Sequence, residues 1–182
     1  MKDKLMGIDL KALAYIRSAK DAPAYWNVGG LFMILAEAKD TGGAFSIMEQ
    51  LTPKGPQAVV HLHETQDEGF YILEGHAIFT VGEQKLEAGP GDFLSIPKNT
   101  WHSFESLTDG LRVLNFYEPA GFERVMIESG TPATSLTVPP DDLPSPDRHL
   151  VQRLMDEVGC RLKAYGGPLG GAPGAIRGGT LT

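Results

Sequence analysis

Cysteine is nearly absent from this sequence, since Cys160 is the only one among 182 residues. A single cysteine cannot form an intrachain disulfide, and it cannot provide the paired thiolates of a cysteine-based zinc site. We therefore expect any bound metal to be held by histidine and carboxylate side chains. Cys160 itself follows Gly159 and is interpreted as a packing residue rather than a nucleophile.

Long apolar runs are also missing. The most apolar uncharged run, residues 31–36, is far shorter than the roughly 20 residues with which a helix crosses a bilayer. The chain starts with the charged residues Lys2, Asp3 and Lys4, and no apolar stretch of signal-peptide length follows them. These features predict a cytoplasmic protein without a membrane partner.

Basic residues are in the minority, because 16 lysines and arginines stand against 23 aspartates and glutamates, for a net charge of −7. An acidic body repels the phosphate backbone of nucleic acids, so we predict no nucleic-acid partner. The same excess of acidic residues also favours solubility.

Glycine and proline, in contrast, are abundant, with 22 and 13 residues. Turn signals built from them alternate with short apolar runs, a pattern typical of an all-β sandwich or barrel of about nine strands. The predicted strands cover 31–36, 44–51, 58–63, 68–73, 76–81, 84–87, 93–96, 100–104 and 111–117. Residues 1–27 mix both periodicities and are compatible with a helix or a strand.

The C-terminal third has a different character. Residues 131–147 contain five prolines, which is typical of an extended arm around the body or of a linker. Residues 146–159 have the spacing of a short amphipathic helix, with Ser145 as the expected N-cap and Gly159 as the expected stop. The predicted organisation is one barrel with an N-terminal extension over 1–130, an arm and a helix packed on it over 131–165, and a flexible glycine-rich tail over 166–182.

Three histidines and a carboxylate are spaced for metal binding. His61 and His63 lie two residues apart in a predicted strand, so their side chains share one face about 6.5–7 Å apart along it. Glu68 follows after a polar turn, and His102 lies in a later strand. Three imidazoles and one carboxylate suit Mn, Fe, Co, Ni, Cu or Zn and are poor ligands for Ca or Mg.

The first of two spaced motifs around these residues resembles that of the cupin superfamily. Gly55-x5-His61-x-His63-x4-Glu68-x6-Gly75 agrees with the first cupin motif at every defined position.

The second motif, Gly91-x5-Pro97-x-Asn99-x2-His102-x3-Ser106, resembles the second cupin motif at its glycine, proline and histidine. It departs at Asn99, where the motif has glycine, and at Ser106, where it has asparagine. The change at Asn99 is mild, because asparagine tolerates the left-handed conformation that a turn requires.

Over roughly residues 20–168 the sequence is similar to bacterial quercetin 2,3-dioxygenase-like monocupins, most clearly at 24–45, 70–75 and 119–124. This resemblance implies an all-β cupin barrel, a jelly roll or double-stranded β-helix, with a short C-terminal helix. It also implies a homodimer, since cupins commonly pair through their barrel sheets and N-terminal strand.

The resemblance implies that one divalent transition metal (Fe, Mn, Ni, Co, Cu or Zn) is bound by both motifs. Glu64 and Asp67 are alternative carboxylate ligands, but strand parity and motif spacing favour Glu68. The predicted ligand set is His61, His63, Glu68 and His102.

Several apolar residues are candidates for a substrate pocket beside the metal. Phe70 and Ile72 share the strand parity of the ligand carboxylate, and Phe104 shares that of the third histidine. Met48 and Phe116 are further candidates whose facing the sequence does not determine. The alternative is that these side chains simply fill the barrel, as in many small barrels.

The function implied is that of a metal-dependent dioxygenase. It would act on an enolic or phenolic small molecule whose oxygen binds the metal, with dioxygen as second substrate and Glu68 as both ligand and proton acceptor. The alternatives are a non-oxidative isomerase, epimerase or cyclase of a biosynthetic pathway, and a small-molecule-binding cupin without turnover.

Overall fold

The computed structural model of the protein describes residues 14–163, so the predicted tail lies outside the described residues. Within them the chain forms 13 strands and three helices. The strands are β1 (Ala24–Asn27), β2 (Gly30–Ala36), β3 (Ser46–Thr52), β4 (Gly55–Pro56), β5 (His61–His63), β6 (Asp67–Glu74), β7 (Ala77–Val81), β8 (Gln84–Ala88), β9 (Phe93–Ile96), β10 (His102–Ser106), β11 (Leu111–Glu118), β12 (Thr131–Pro132) and β13 (Cys160–Leu162). The helices are α1 (Ala38–Thr41), α2 (Glu123–Ser129) and α3 (Arg148–Glu157).

These strands form two antiparallel sheets. The larger sheet has the order β12-β1-β2-β3-β11-β6-β9, and the smaller has the order β13-β5-β10-β7-β8, with β4 paired to β10. Neighbours in each sheet are often far apart in the chain, which is the connectivity of a jelly roll. The predicted all-β fold is confirmed.

The core lies between the sheets and follows from strand alternation. Along β11, Leu111, Val113 and Tyr117 are buried, whereas Arg112 and Leu114 between them are partly exposed. Alternate residues of a strand point to opposite faces of its sheet. One buried cluster between the sheets consists of Phe70, Ile72, Ala77, Phe79, Ala88, Ile96, Phe104, Leu111 and Val113.

The sequence analysis predicts neither helix α1 nor helix α2. Both are shorter than isolated helices need to be for stability, so tertiary contacts must hold them. Glu123 at the start of α2 supplies such a contact, since it is 1% exposed and bridges two segments. Its carboxylate accepts hydrogen bonds from the backbone N–H groups of Ala38 at 2.8 Å and Gly121 at 2.6 Å.

Helix α3 differs from the predicted helix at its N-terminus. Ser145 is not its N-cap. Asp147 takes that place, and its carboxylate accepts from the backbone N–H groups of His149 at 2.8 Å and Leu150 at 3.3 Å. A carboxylate caps the positive end of a helix at least as well as a hydroxyl, so the helix begins two residues later than the proline pattern suggests.

The segment between α2 and α3 runs along the larger sheet. Its strand β12 pairs with β1, and the Trp26 indole Nε1 donates to the Thr137 carbonyl at 2.8 Å. Leu143 packs against the buried cluster that contains Leu31 and Met33. These contacts cover one end of the outer surface of the larger sheet.

None of the helices within residues 14–163 is both long and apolar enough to cross a membrane.

Candidate metal centre

Four side chains from three strands meet inside the barrel. His61 and His63 lie on β5, Glu68 lies on β6, and His102 begins β10. One ligand atom from each of the four lies within 4.8 Å of those of the others. Strand β5 pairs with β10 so that His61 is directly opposite His102, which brings the two motifs together.

A backbone hydrogen bond ties the loop before β10 to β5. The Asn99 N–H donates to the His63 carbonyl at 2.7 Å, and Asn99 has a φ of +63°. Few residues other than glycine adopt this left-handed conformation, and asparagine is the commonest exception. The asparagine at this motif position therefore keeps the turn that a glycine would make.

Backbone carbonyl groups orient two of the histidine rings. The Nδ1 atom of His61 is 2.9 Å from the Val59 carbonyl oxygen, and Nδ1 of His102 is 2.9 Å from the Thr100 carbonyl oxygen. A carbonyl can only accept, so both Nδ1 atoms carry the proton. Each Nε2 is then left with a free lone pair, as a metal-ligating histidine requires.

The two oxygens of Glu68 have different surroundings. Oε1 accepts hydrogen bonds from the Tyr117 hydroxyl at 2.7 Å and from Asn115 Nδ2 at 2.9 Å. Oε2 lies 2.7 Å from His102 Nε2 and 3.3 Å from His63 Nε2. Neither of these two contacts has the geometry of a hydrogen bond, so all three atoms are buried without a hydrogen-bond partner.

Burial and charge shift the pKa values in this cluster. Burial lowers the pKa of His61 to about 4, with help from the neighbouring His102. Burial would also lower the pKa of His102, but the Glu68 carboxylate outweighs it and the pKa is raised. For Glu68, burial favours a higher pKa, but the contacts with His102 and His63 bring it well below its usual range. The carboxylate is therefore ionised.

These groups fit a bound cation. Buried polar atoms are nearly always paired, but here Nε2 of His63, Nε2 of His102 and Oε2 of Glu68 lie close together without a hydrogen-bond partner. A positive ion between them would satisfy all of these lone pairs. The cluster can hold a metal ion, and its donor set suits a divalent transition metal.

Two residues at this site were not identified from the sequence. Tyr117 and Asn115 hold the carboxylate from β11, which lies beside β6 in the larger sheet. Burial, followed by the charge of Glu68, raises the pKa of Tyr117 well above its usual value, so its hydroxyl stays a donor. Strand alternation could have pointed to Asn115 and Tyr117, because each lies an even number of residues from Leu111 and Val113 and therefore on the same face of the strand.

Two aromatic rings pack against His63. The Phe122 ring meets it edge-on at a centroid distance of 4.7 Å, and the Tyr117 ring at 5.2 Å. Phe122 belongs to the buried cluster that joins the barrel to α2 and α3. The helices thereby help to hold one ligand in place.

Three of the predicted pocket residues face the interior and are buried. The rings of Phe70 and Phe104 lie 5.4 Å apart, and both contact Phe79, at 5.0 and 5.4 Å. Ile72 belongs to the same cluster. This mutual packing favours the alternative in which these side chains fill the barrel.

Met48 is also buried and lies opposite Asn115 in the β3–β11 pair. Residues directly opposite in an antiparallel pair project to the same face, so Met48 faces the interior on the side of the metal cluster. It packs in the cluster that also contains Tyr117.

Phe116 does not face the interior, and its proposed place in the pocket is wrong. It follows Asn115 and precedes Tyr117, both of which point inward, so strand alternation turns it outward. Its ring stacks on Phe93 at 5.6 Å with an angle of 6° between the planes, and Phe93 is 57% exposed. The ring also lies over Gly69, where an added Cβ would overlap it.

Comparisons with known proteins identify relatives of this chain. Residues 47–117 match the family model of the cupin domain. The chain is 31% identical over 121 residues to quercetin 2,3-dioxygenase of Bacillus subtilis, which covers 66% of this chain and 36% of the relative. It is 43% identical over 47 residues to acireductone dioxygenase of Exiguobacterium sibiricum, covering 23% of this chain and 26% of the relative. The chain thus spans about a third or less of the length of these two relatives.

A solved structure agrees with the fold. The RmlC-like cupin of Shewanella frigidimarina superposes with a TM-score of 0.51 at 16% identity, over 61% of this chain and 96% of that one.

Proposed function

This chain belongs to the cupin superfamily, with residues 47–117 as its cupin domain, and we propose that it is a metal-dependent dioxygenase. Its substrate would be an enolic or phenolic small molecule whose ionised oxygen binds the metal. The observation that carries this proposal is the buried cluster of three histidines and one glutamate with unpaired lone pairs. The similarity to two proteins named as dioxygenases supports the oxidative chemistry.

The ligands His61, His63, Glu68 and His102 would hold the metal. A divalent transition metal at this place acts as a Lewis acid and lowers the pKa of a hydroxyl bound to it. A metal held by these four side chains would supply this Lewis-acid chemistry to a substrate oxygen that reaches the cluster.

The chain's own groups would orient the substrate and receive its proton. Glu68 is the proton acceptor in this proposal, and it acts through Oε2, because Asn115 and Tyr117 already occupy Oε1. His61 is the only partly exposed member of the cluster, since the other three are buried. The substrate therefore approaches the cluster from the side of His61, rather than through the packed rings of Phe70 and Phe104.

Oxygen uptake tests this function directly. Metal-reconstituted protein is offered a panel of enols and phenols, including flavonols, while dissolved oxygen and product are followed together. We expect uptake with at least one compound and its loss in His61→Ala and His102→Ala. His76→Ala is the matched control, because His76 is exposed and outside the cluster.

The outcomes separate the candidate functions. If no compound in the panel consumes dioxygen, the dioxygenase proposal is wrong. Conversion that proceeds unchanged without oxygen would point to a non-oxidative isomerase, epimerase or cyclase. Tight binding of a compound without any conversion would point to a binding protein.

We also propose a homodimer. Phe93 and Tyr71, at 57% and 41% exposure, lie on the outer face of the larger sheet, where a second copy would cover them. Light scattering should give about twice the 19.6 kDa chain mass if isologous pairing occurs. A mass of one chain at all concentrations would contradict the dimer.

A further inference from the structure

Asn115 and Tyr117 donate hydrogen bonds to Glu68 and to none of the other three candidate ligands within the described residues. Both donate to Oε1, and both leave Oε2 facing His63 and His102. We propose that Asn115 and Tyr117 are positioning residues that hold Glu68 as a ligand through one oxygen, and so keep a coordination position free for substrate or dioxygen. This inference rests on the metal site of the proposed function.

The hydrogen bonds occupy the oxygen that would otherwise turn to the metal. A carboxylate oxygen has two lone pairs for hydrogen bonding, and Oε1 accepts from two donors. Glu68 could bind a metal through both oxygens only by giving up at least one of these two hydrogen bonds. Because Oε1 is enclosed where no water replaces a lost donor, that exchange is unfavourable.

The sheet holds the two donors rigidly. Tyr117 is directly opposite Glu68 in the β11–β6 pair. Asn115 is opposite Phe70, which is the next residue of β6 after Glu68 that points into the barrel. Asn115 Nδ2 also lies 3.3 Å from the Gly69 carbonyl oxygen, which fixes the orientation of its amide. Donors on paired strands cannot follow the carboxylate if it rotates, so they determine its orientation.

Removing the donors has two measurable consequences. The carboxylate becomes free to rotate and to bind through both oxygens, which displaces one metal-bound water. The metal is also held less tightly, since loss of partners that orient a ligand typically reduces metal affinity about 10–100-fold.

The experiment uses the full chain with Mn²⁺ alone. The variants are Tyr117→Phe, Asn115→Leu and the double variant, which keep side-chain shape while removing the donors. Tyr71→Phe is the matched control, because it removes a hydroxyl from the outer face of the strand that carries Glu68. Mn²⁺ affinity is measured by titration, and metal-bound waters are counted from the broadening of the Mn²⁺ resonance in ¹⁷O-labelled water.

We expect the double variant to hold one water fewer than the wild type and to bind Mn²⁺ about 10–100-fold more weakly. The Mn²⁺ affinity and the water count of Tyr117→Phe should lie between those of the wild type and the double variant. Both quantities should be the same in Tyr71→Phe as in the wild type. Circular dichroism of the metal-free proteins verifies folding, and Tyr117→Phe alone decides the question if the double variant does not fold.

Two results overturn the inference in distinguishable ways. If the wild type binds Mn²⁺ and Tyr117→Phe matches Tyr71→Phe in affinity and water count, Asn115 and Tyr117 do not position Glu68, and the proposed function stands. If the wild type binds no metal, the proposed function fails together with the inference.

Discussion

Asn99 offers a sharp test of how the loop before β10 supports the metal cluster. Its φ of +63° lies in the left-handed region, and its N–H holds the His63 carbonyl. A left-handed backbone costs an ordinary L residue about 1–2 kcal/mol, and a β-branched side chain suffers most. Asn99→Val should therefore lower the free energy of unfolding by about 2 kcal/mol.

The matching variant Asn99→Gly should behave differently. Glycine adopts positive φ without steric cost, so Asn99→Gly should stay within about 0.5 kcal/mol of the wild type. For a chain of this size each kcal/mol corresponds to about 2–4 °C in Tm. The expected decrease in Tm for Asn99→Val is thus about 4–8 °C.

Thermal unfolding of the metal-free proteins, followed by circular dichroism, measures this difference. Lys98→Ala is the control for a change in the same loop at an exposed side chain. Metal titration of the same variants should show weaker binding for Asn99→Val only, because its loop no longer holds His63. If Asn99→Val and Asn99→Gly have the same Tm, the left-handed turn does not stabilise the loop and the reasoning is wrong.

Further predictions concern the ligands and one buried carboxylate. His61→Ala and His102→Ala should lose most bound metal in elemental analysis yet keep wild-type circular dichroism, whereas His76→Ala should keep the metal; wild-type occupancy in the first two would refute the ligand assignment. Metal affinity should fall as the pH is lowered into the range where histidines gain a proton, because the Glu68 carboxylate raises the pKa of His102 and a proton on that imidazole competes with the metal; affinity that does not change with pH would contradict the assignment. Glu123→Ala should destabilise the fold by about 3 kcal/mol in urea unfolding, since two backbone donors lose their acceptor, and a loss below about 0.5 kcal/mol would show that the bridge is not needed.

The strands were predictable because their signals are local. Residues 93–96 were predicted as a strand and form β9 with the same bounds, since turn residues stand on both sides of an apolar run. His61 and His63 could be placed on one face from the sequence, because side chains two residues apart in a strand point to the same side. The helix cap was less predictable, because Ser145 and Asp147 are both good N-caps and only the packing of α3 chooses between them.

The amino-acid sequence by itself therefore determined the all-β class, most strand positions and the four residues with metal-ligating chemistry. The tertiary structure decided what depends on register between distant strands. Phe116 and Tyr117 are adjacent aromatic residues, and strand alternation by itself only assigns them to opposite faces, whereas the pairing of β11 with β6 directs Tyr117 to Glu68 and Phe116 to Phe93. The hydrogen bonds to Glu68 cross 47 and 49 residues of chain. Contacts of that separation are set by how the strands pair, which no local pattern specifies.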